Sequence, residues 1–445
     1  MTASPRIAVI GGGSAVWTRN LLADLAADTR FDTASVSLMD IDEAKVDLLE
    51  SWCRRYLGEQ DSAIEVESTT DRARAISGAD VVIVQISVGG NAARRIELDV
   101  PERHGVFQTV GDSVGPGGII RAIRQGPALI EIADTVASEA PDALLVELTN
   151  PMAQLCRMLD IHGKTKHVGY CHGAYETLEI LSSTLKTDHH AMDIRAWGVN
   201  HFLFMREVTL DGHDAWPLIH QHYEQLKALH PSIFDFWETF GEFPINNDRH
   251  PAEFVPYYLR AETDGGKKWG VSRILEDFLL DNYDQIVDQL KAQLESNDPI
   301  FHPPRNERLV EMIGAWLYGP GLTIHLNLPN SMPSGQPVIS GLPEHAVIEA
   351  PALVDRATIV PIALERPLAD PTRSLVARVT DVEELTAQAA YLRDAQLALG
   401  AMALDPLVPS TDSARLILRG LLEAQREWIP DWESMAPMRA GSSPD

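Results

Sequence analysis

Arg6-Ile7-Ala8-Val9-Ile10-Gly11-Gly12-Gly13-Ser14 reads as a short buried strand running straight into a glycine-rich turn. Gly11 permits the tight turn after the strand, and Gly13 lets the backbone approach a pyrophosphate held at the next helix N-terminus. Val16 stands where the usual fingerprint has a third glycine, so the turn carries little weight by itself. Its surroundings add the weight. Val16 to Asp28 has helical spacing, and Ser35-Val36-Ser37-Leu38-Met39 is a second apolar run that ends on Asp40. An acid there is placed to accept hydrogen bonds from a ribose diol and would repel a 2′-phosphate, which selects NAD over NADP. Gly11, Gly13, Ser14 and Asp40 are the candidate cofactor contacts.

Outward from this stretch, short apolar runs keep alternating with amphipathic ones. A helix is predicted from Glu43 to Gly58, then strands at Ile64-Glu65-Val66 and Asp80 to Gln85, a helix from Pro127 to Ala140, and a buried strand at Ala143 to Leu148. That alternation is the mark of an α/β fold built on a doubly wound parallel sheet. After Asn150 the pattern loosens. Val168-Gly169-Tyr170-Cys171 reads as a strand end, Ala174 to Leu185 as a helix, and Ala196 to Thr209 as one strand of mixed pattern. Asn246 to Gly270, rich in charge and aromatics, reads as a functional loop region. Helices are predicted at Phe278 to Glu295, at Asp381 to Leu404 with Thr380 and Glu383 as a capping box, and at Thr411 to Trp428. The expected organisation is a Rossmann-like domain over residues 1–195. A C-terminal α+β domain over residues 196–445 would hold substrate, metal and subunit contacts, ending in a disordered tail at 441–445.

At 445 residues with 45% hydrophobic content, the chain can bury two or three packed lobes. Lys plus Arg number 37 against 64 Asp plus Glu, and a net charge of -27 excludes general nucleic-acid binding. No apolar run approaches the ~20 residues that span a bilayer. Met1-Thr2-Ala3-Ser4-Pro5 has no secretion signal, and three cysteines make no disulfide framework, so a reducing cytoplasm is expected. Cys53 and Cys156 are read as buried packing. Trp316, Leu317, Tyr318 and Leu322 are read as a subunit interface of a homodimer or homotetramer.

Cys171, at the end of a predicted strand, and His201, after Asn200 in a second strand-like run, suggest an open metal site. One thiolate and one imidazole leave coordination positions for substrate oxygens, which suits a divalent ion polarising a diol better than a closed structural site. His172 adjoins the first ligand and has the chemistry of an acid or base near neutrality.

Together with Gly11-Gly12-Gly13-Ser14, the motifs Gly111-Asp112-Ser113-Val114-Gly115-Pro116-Gly117-Gly118, Thr149-Asn150-Pro151-Met152, Cys171-His172, Gly198-Val199-Asn200-His201 and Asp248-Arg249-His250-Pro251-Ala252-Glu253-Phe254 make a recognisable series. From Arg6 to about Leu404 the chain resembles the NAD- and divalent-metal-dependent glycosidases of glycoside hydrolase family 4, an exception to the two-carboxylate scheme of most glycosidases. The resemblance implies transient oxidation of the sugar at C3 by NAD, loss of the C2 proton with departure of the C1 aglycone, addition of water, and re-reduction. It makes Cys171 and His201 the ligands of a divalent ion (manganese expected), and Asn150 a substrate and cofactor contact. His172 becomes the acid, and Asp248 the C2 base, with Tyr258 or Tyr257 as alternatives.

The glycine-rich motif and Asp248-Arg249-His250 are most similar to the α-galacturonidase-like branch, which reads sugars charged at C6. Arg121, Arg249, Arg260, Lys267 and Lys268, with Asn150 and His201, are the candidate substrate contacts. Lys267-Lys268 beside Trp269 suits a sulfonate equally well, so a sulfoquinovosidase competes, and a neutral α-galactosidase is the further alternative. A plain NAD-dependent sugar or hydroxy-acid dehydrogenase is the reading from a different class. It would accumulate NADH, whereas the glycosidase recycles its cofactor. A non-catalytic NAD sensor leaves Cys171, His201 and Asp248 unexplained.

Overall fold

Strand β1 (Arg6–Ile10) has parallel neighbours on both sides, β2 (Ser35–Met39) and β4 (Val81–Val84), so no residue from Ile7 to Ile10 reaches solvent. The computed structural model describes residues 4–274, 280–305, 308–429 and 432. With β3 (Glu65–Thr69), β5 (Leu144–Glu147) and β6 (Lys166–Gly169), these strands form a parallel half-sheet in the order β3-β2-β1-β4-β5-β6. Both faces are covered, which is why the central strands are continuously apolar rather than alternating. Ala8, Ile10, Val82 and Val84 point into one core, against Ile119 and Ile123 of the helix Gly115–Glu139. Ile7, Val9, Val81 and Ile83 point into the other, against Leu22 and Leu25 of the helix Trp17–Ala27 and against Trp52. Each such Val, Leu or Ile side chain contributes about 1.5–3 kcal/mol on burial.

The sheet does not stop at the edge of this half. It continues through β7 (Met192–Val199), β8 (Phe202–Leu210), β9 (His213–Asp214), β10 (Pro244–Ile245), β11 (Leu322–Pro329), β12 (Val347–Asp355) and β13 (Thr358–Pro361) as antiparallel additions. The joint is at β6 and β11, where Gly169 lies opposite Asn327. The same lateral row continues to Glu349 on β12 and Gly198 on β7. The sheet is therefore continuous across residues 195 and 196. Helices Asp370–Leu392 and Thr411–Ala424 also return to the first core, where Val382, Ala387, Ile417 and Leu421 join Ile119 and Ile123.

Several local expectations change. The predicted helix Pro127–Ala140 is the end of a longer one, Gly115–Glu139, with Pro127 inside it. Its first turn packs so closely on the preceding loop that a Cβ at Gly117 would fall 2.6 Å from Gly111 O, and one at Gly118 2.6 Å from Ser113 C. The single strand expected at Ala196–Thr209 is a hairpin, β7 and β8, turning at Asn200-His201. The helix expected at Asp381–Leu404 is two, Asp370–Leu392 and Ala395–Leu404, parted by left-handed Arg393 and capped afresh by Asp394. Thr380 and Glu383 thus lie inside a helix and form no capping box; Thr380 Oγ1 donates to Ala377 O instead. Helix Leu280–Glu295 is observed, while the expected start at Phe278 and the tail at 441–445 lie outside the described residues.

Trp316 is buried in the second core, and Leu317, Tyr318 and Leu322 pack against that core while keeping part of their surface exposed. Among the described residues no helix is long and apolar enough to cross a membrane.

Candidate active site

The glycine-rich turn is built for close approach. Gly11 has φ +89°, and a Cβ there would sit 2.5 Å from Gln85 O. The Gly13 N–H donates to Asp40 Oδ2 at 3.0 Å, and the Asp42 N–H donates to Asp40 Oδ1 at 3.1 Å. Asp40 therefore braces the turn as well as ending strand β2. The Ser14 hydroxyl stands beside it, accepting from the Trp17 N–H at 3.4 Å. Val16, at the N-cap of the helix Trp17–Ala27, offers no capping side chain, and the positive end of that helix faces the turn, which suits an anion such as a pyrophosphate. Tyr283 reaches over from helix Leu280–Glu295, its hydroxyl donating to Gly13 O at 3.4 Å. Nothing in the sequence linked that helix to the turn.

His201 occupies the two-residue turn between β7 and β8 in the left-handed conformation, φ +66°. The structure brings it together with Asp112 and His250, with one ligand atom of each within 4.8 Å of the others. The two imidazole rings lie 4.0 Å apart. His201 Nδ1 is 2.6 Å from Ser113 Oγ, which in turn donates to Asp112 Oδ1 at 2.9 Å. That chain makes Nδ1 the protonated nitrogen and leaves Nε2 with a free lone pair. Burial, aided by His250, pushes the His201 pKa down to about 3, so the ring is neutral and able to ligate. Burial holds His250 below its usual range too, and its buried Nδ1 has no hydrogen-bond partner. Against its burial, Asp112 is held well below the usual carboxylate range by His250, His201, Arg121 and Arg94. A charged oxygen, two neutral imidazoles and an orphaned ring nitrogen together fit a divalent ion of the manganese or zinc type.

Asn150 donates its Nδ2 to Asp112 Oδ2 at 3.1 Å and keeps a buried Oδ1 without a partner. Cys171 is buried at the end of β6, outside the 4.8 Å group, with its thiol pushed up by burial and by Glu349. The Gly173 N–H donates to its Sγ at 3.4 Å. His172 caps the helix Gly173–Leu185, its ring 5.3 Å from that of Trp17.

The expected cations divide sharply. Arg121 is buried and closes on Glu97 with Nε at 2.9 Å, and Arg124 closes on the same carboxylate at 2.5 Å. Neither guanidinium is left over. Arg94, on the helix Gly90–Glu102, is half-buried beside Arg121 and Asp112, and no described residue gives it a hydrogen bond or an ion pair. Burial and Arg121 lower its pKa to about 10, so it stays charged at neutral pH. Arg94 is a site cation that sequence reasoning missed. Only the helical offset from Glu97 could have separated it from Arg95. Arg249 lies behind Asp112, its carbonyl accepting from the Thr109 hydroxyl at 2.6 Å and its Nη2 donating to Ser272 at 3.3 Å. Lys267 and Lys268 sit on the exposed segment Ala261–Trp269 and Arg260 just before it; Arg260 pairs with Glu262, Lys267 with Asp264, and Lys268 bonds the Glu262 carbonyl.

Asp248 has both oxygens engaged, by His230 Nδ1 at 2.5 Å and by Ser232 Oγ at 2.8 Å. Tyr258 donates its hydroxyl to Asp235 at 3.0 Å from a bed of aromatic rings, and burial raises its pKa. Tyr257 is 46% exposed.

Glu253 was quoted only as part of a motif, yet it holds the loop carrying Asp112. Its Oε1 accepts the backbone N–H groups of Thr109, Val110 and Gly111 at 2.7, 2.8 and 2.9 Å. Burial raises its pKa to about 7 in spite of those three donors. Glu253→Ala would strand three buried N–H groups, each worth about 1–3 kcal/mol when unsatisfied. With water refilling part of the gap, we expect a stability loss of about 3 kcal/mol in denaturant melts. Glu253→Gln, which keeps an acceptor, is expected to lose less than half of that. Melts of both variants that overlay the wild type would remove the clamp from this account.

Two family models match nearly the whole chain: family 4 glycosyl hydrolase over residues 6–187, and family 4 glycosyl hydrolase C-terminal domain over residues 196–408. An α-galacturonidase of Bacillus subtilis is 30% identical over 431 residues, covering 91% of this chain and 93% of that protein. An α-galacturonidase of Thermoanaerobacterium saccharolyticum is 29% identical, covering 97% of each. Among solved structures, the 6-phospho-beta glucosidase of Thermotoga maritima with manganese, NAD+ and glucose-6-phosphate superposes with a TM-score of 0.77 at 25% identity, covering 95% of this chain and 99% of that one.

Proposed function

The chain belongs to glycosyl hydrolase family 4, and on that premise we propose that it is an NAD- and divalent-metal-dependent α-glycosidase for sugars with an anionic group at C6. The observation that carries the charge preference is Arg94, a guanidinium beside the Asp112, His201 and His250 cluster that makes no hydrogen bond or ion pair among the described residues and feels Asp112 and Glu97 only at longer range. Such a partly compensated, desolvated charge is costly in the free protein, and a substrate anion in direct contact would relieve it. The α-galacturonidase relatives favour a carboxylate as that anion, hence a uronide; a sulfonate is the competing reading.

When bound, NAD supplies a reversible hydride acceptor for C3 and the divalent ion supplies polarisation of the neighbouring sugar oxygens. The chain's residues prepare the rest. Gly11, Gly13, Ser14 and Asp40 receive the dinucleotide. His201 through Nε2, with Asp112 and His250, would hold the ion, and the Cys171 thiol, outside that group, would be a further soft donor. Asn150, already bonded to Asp112, has an Oδ1 free to accept from a sugar hydroxyl. His172 at its helix N-terminus is the proposed donor of a proton to the departing aglycone oxygen. Asp248 is the proposed acceptor of the C2 proton, and the His230 imidazole bonded to it steadies the carboxylate before and after transfer. The hydroxyl of Tyr258, held by Asp235, is not needed for this step.

The test is aryl-glycoside hydrolysis by protein stripped of nucleotide, with NAD and Mn²⁺ restored separately, on α-galacturonide, α-glucuronide, α-sulfoquinovoside and α-galactoside. Aglycone release that needs both additions, produces no net NADH and prefers the uronides is the expected result. Preference for the sulfo-sugar would move the assignment to a sulfoquinovosidase. Steady NADH formation without aglycone release would make the protein a dehydrogenase.

A further inference from the structure

We propose that Glu349, a buried carboxyl on β12, is a positioning residue for His201 and acts through Asn200. The inference rests on the reading that His201 holds a divalent ion. Glu349 has no exposed surface, and among the described residues no cation pairs with it. Its Oε2 accepts a hydrogen bond from Asn200 Nδ2 at 2.9 Å, and Asn200 is itself buried. Asn200 and His201 are the whole of the turn joining β7 to β8. A two-residue turn has few ways to point its side chains, and here His201 is a non-glycine residue with φ +66°, a conformation that needs support from its surroundings. The hairpin offers little slack for it. Glu349 lies opposite Gly198, where a Cβ would fall 2.2 Å from Phe202 O, so the strands close tightly just before the turn. Glu349 holds the side chain of Asn200, the first residue of the turn.

Cys171 lies near the same pair: Glu349 helps to push its thiol up, and Asn200 acts against that. The carboxyl thus holds the residue next to His201 and lies near Cys171, from a position some 150 residues away from the turn in sequence and with nothing distinctive around it. A buried carboxyl without a cation is a poor choice for stability alone, because an apolar residue would fill the same place at less cost. The residues that orient metal ligands from behind typically change metal affinity ten- to a hundredfold when removed.

The experiment is a Mn²⁺ titration of the NAD-loaded protein followed by electron paramagnetic resonance, on wild type, His201→Ala, Asn200→Ala, Glu349→Ala and Glu349→Gln. NAD affinity and cooperative melting are recorded for each. Asn200→Ala and Glu349→Ala are expected to weaken Mn²⁺ at least about tenfold with NAD affinity unchanged. Glu349→Gln, whose Oε1 still accepts from Asn200, is expected to stay within about threefold of wild type. If Glu349→Ala does not fold, Asn200→Ala decides alone. Wild-type Mn²⁺ affinity in folded Asn200→Ala, or a glutamine variant as weak as the alanine one, overturns the positioning role. Wild-type protein that takes up no His201-dependent Mn²⁺ overturns instead the metal reading beneath it.

Discussion

Replacing His201 with alanine is expected to lower kcat/KM for the preferred glycoside by at least about 10³-fold while leaving NAD binding within about twofold. The argument starts from the free Nε2. Ser113 and Asp112 fix the proton on Nδ1 at 2.6 and 2.9 Å along the chain, so the neutral ring is presented to the ion in one tautomer and one orientation. Without it, Asp112 and His250 keep only part of the donor set, and the sugar oxygens lose polarisation worth several kcal/mol in the transition state. About 4 kcal/mol corresponds to the stated thousandfold. NAD is expected to be spared because its proposed contacts are at the Gly11–Gly13 turn and Asp40, just past strands β1 and β2, away from His201. Removing the metal from wild type with a chelator should give the same phenotype, restored by Mn²⁺. His201→Ala should not be restored. A His201→Ala enzyme that keeps a tenth of its activity would show that the cluster is structural.

Arg94→Met is expected to reduce kcat/KM on the C6-anionic substrate about 100-fold and to change that on the neutral α-galactoside less than about threefold. A charge-assisted hydrogen bond to a buried anion is worth about 1.5–3 kcal/mol, which brackets the hundredfold. The methionine keeps the aliphatic stem and its packing while removing the charge. Arg121→Met is the instructive contrast. It takes one of two guanidiniums from Glu97, so its main effect is on stability and falls on both substrates alike. Equal losses on charged and neutral sugars in Arg94→Met would remove the basis for the anionic-substrate proposal.

The parallel half of the sheet was legible because strands covered on both faces must be continuously apolar, and Ile7–Ile10 and Val81–Val84 are. The antiparallel half was not, since β11 and β12 carry the polar Asn327 and Glu349 within them, with Pro329 ending β11 and Pro351 in the middle of β12, which break any simple pattern. Asn200-His201 contains no glycine, so a turn there looks like uninterrupted strand, and left-handed Arg393 hides a helix break in the same way. Motif residues such as Asp112 and His250 were quoted without a role because their neighbours come from three separate elements of the chain. Arg94 and Arg121 are the same residue type on two packed helices, side by side in space. Whether a guanidinium is already paired depends on Glu97 and is a property of packing alone.

The most direct test of the redox elimination route is hydrolysis of an aryl α-galacturonide in D₂O, with NAD and Mn²⁺ present, followed by NMR of the released sugar. Deuterium at C2 of the product, with no net NADH formed, is the predicted result, because the C2 proton must leave and be replaced from solvent. Full turnover with protium retained at C2 would contradict the account and point to direct displacement at C1.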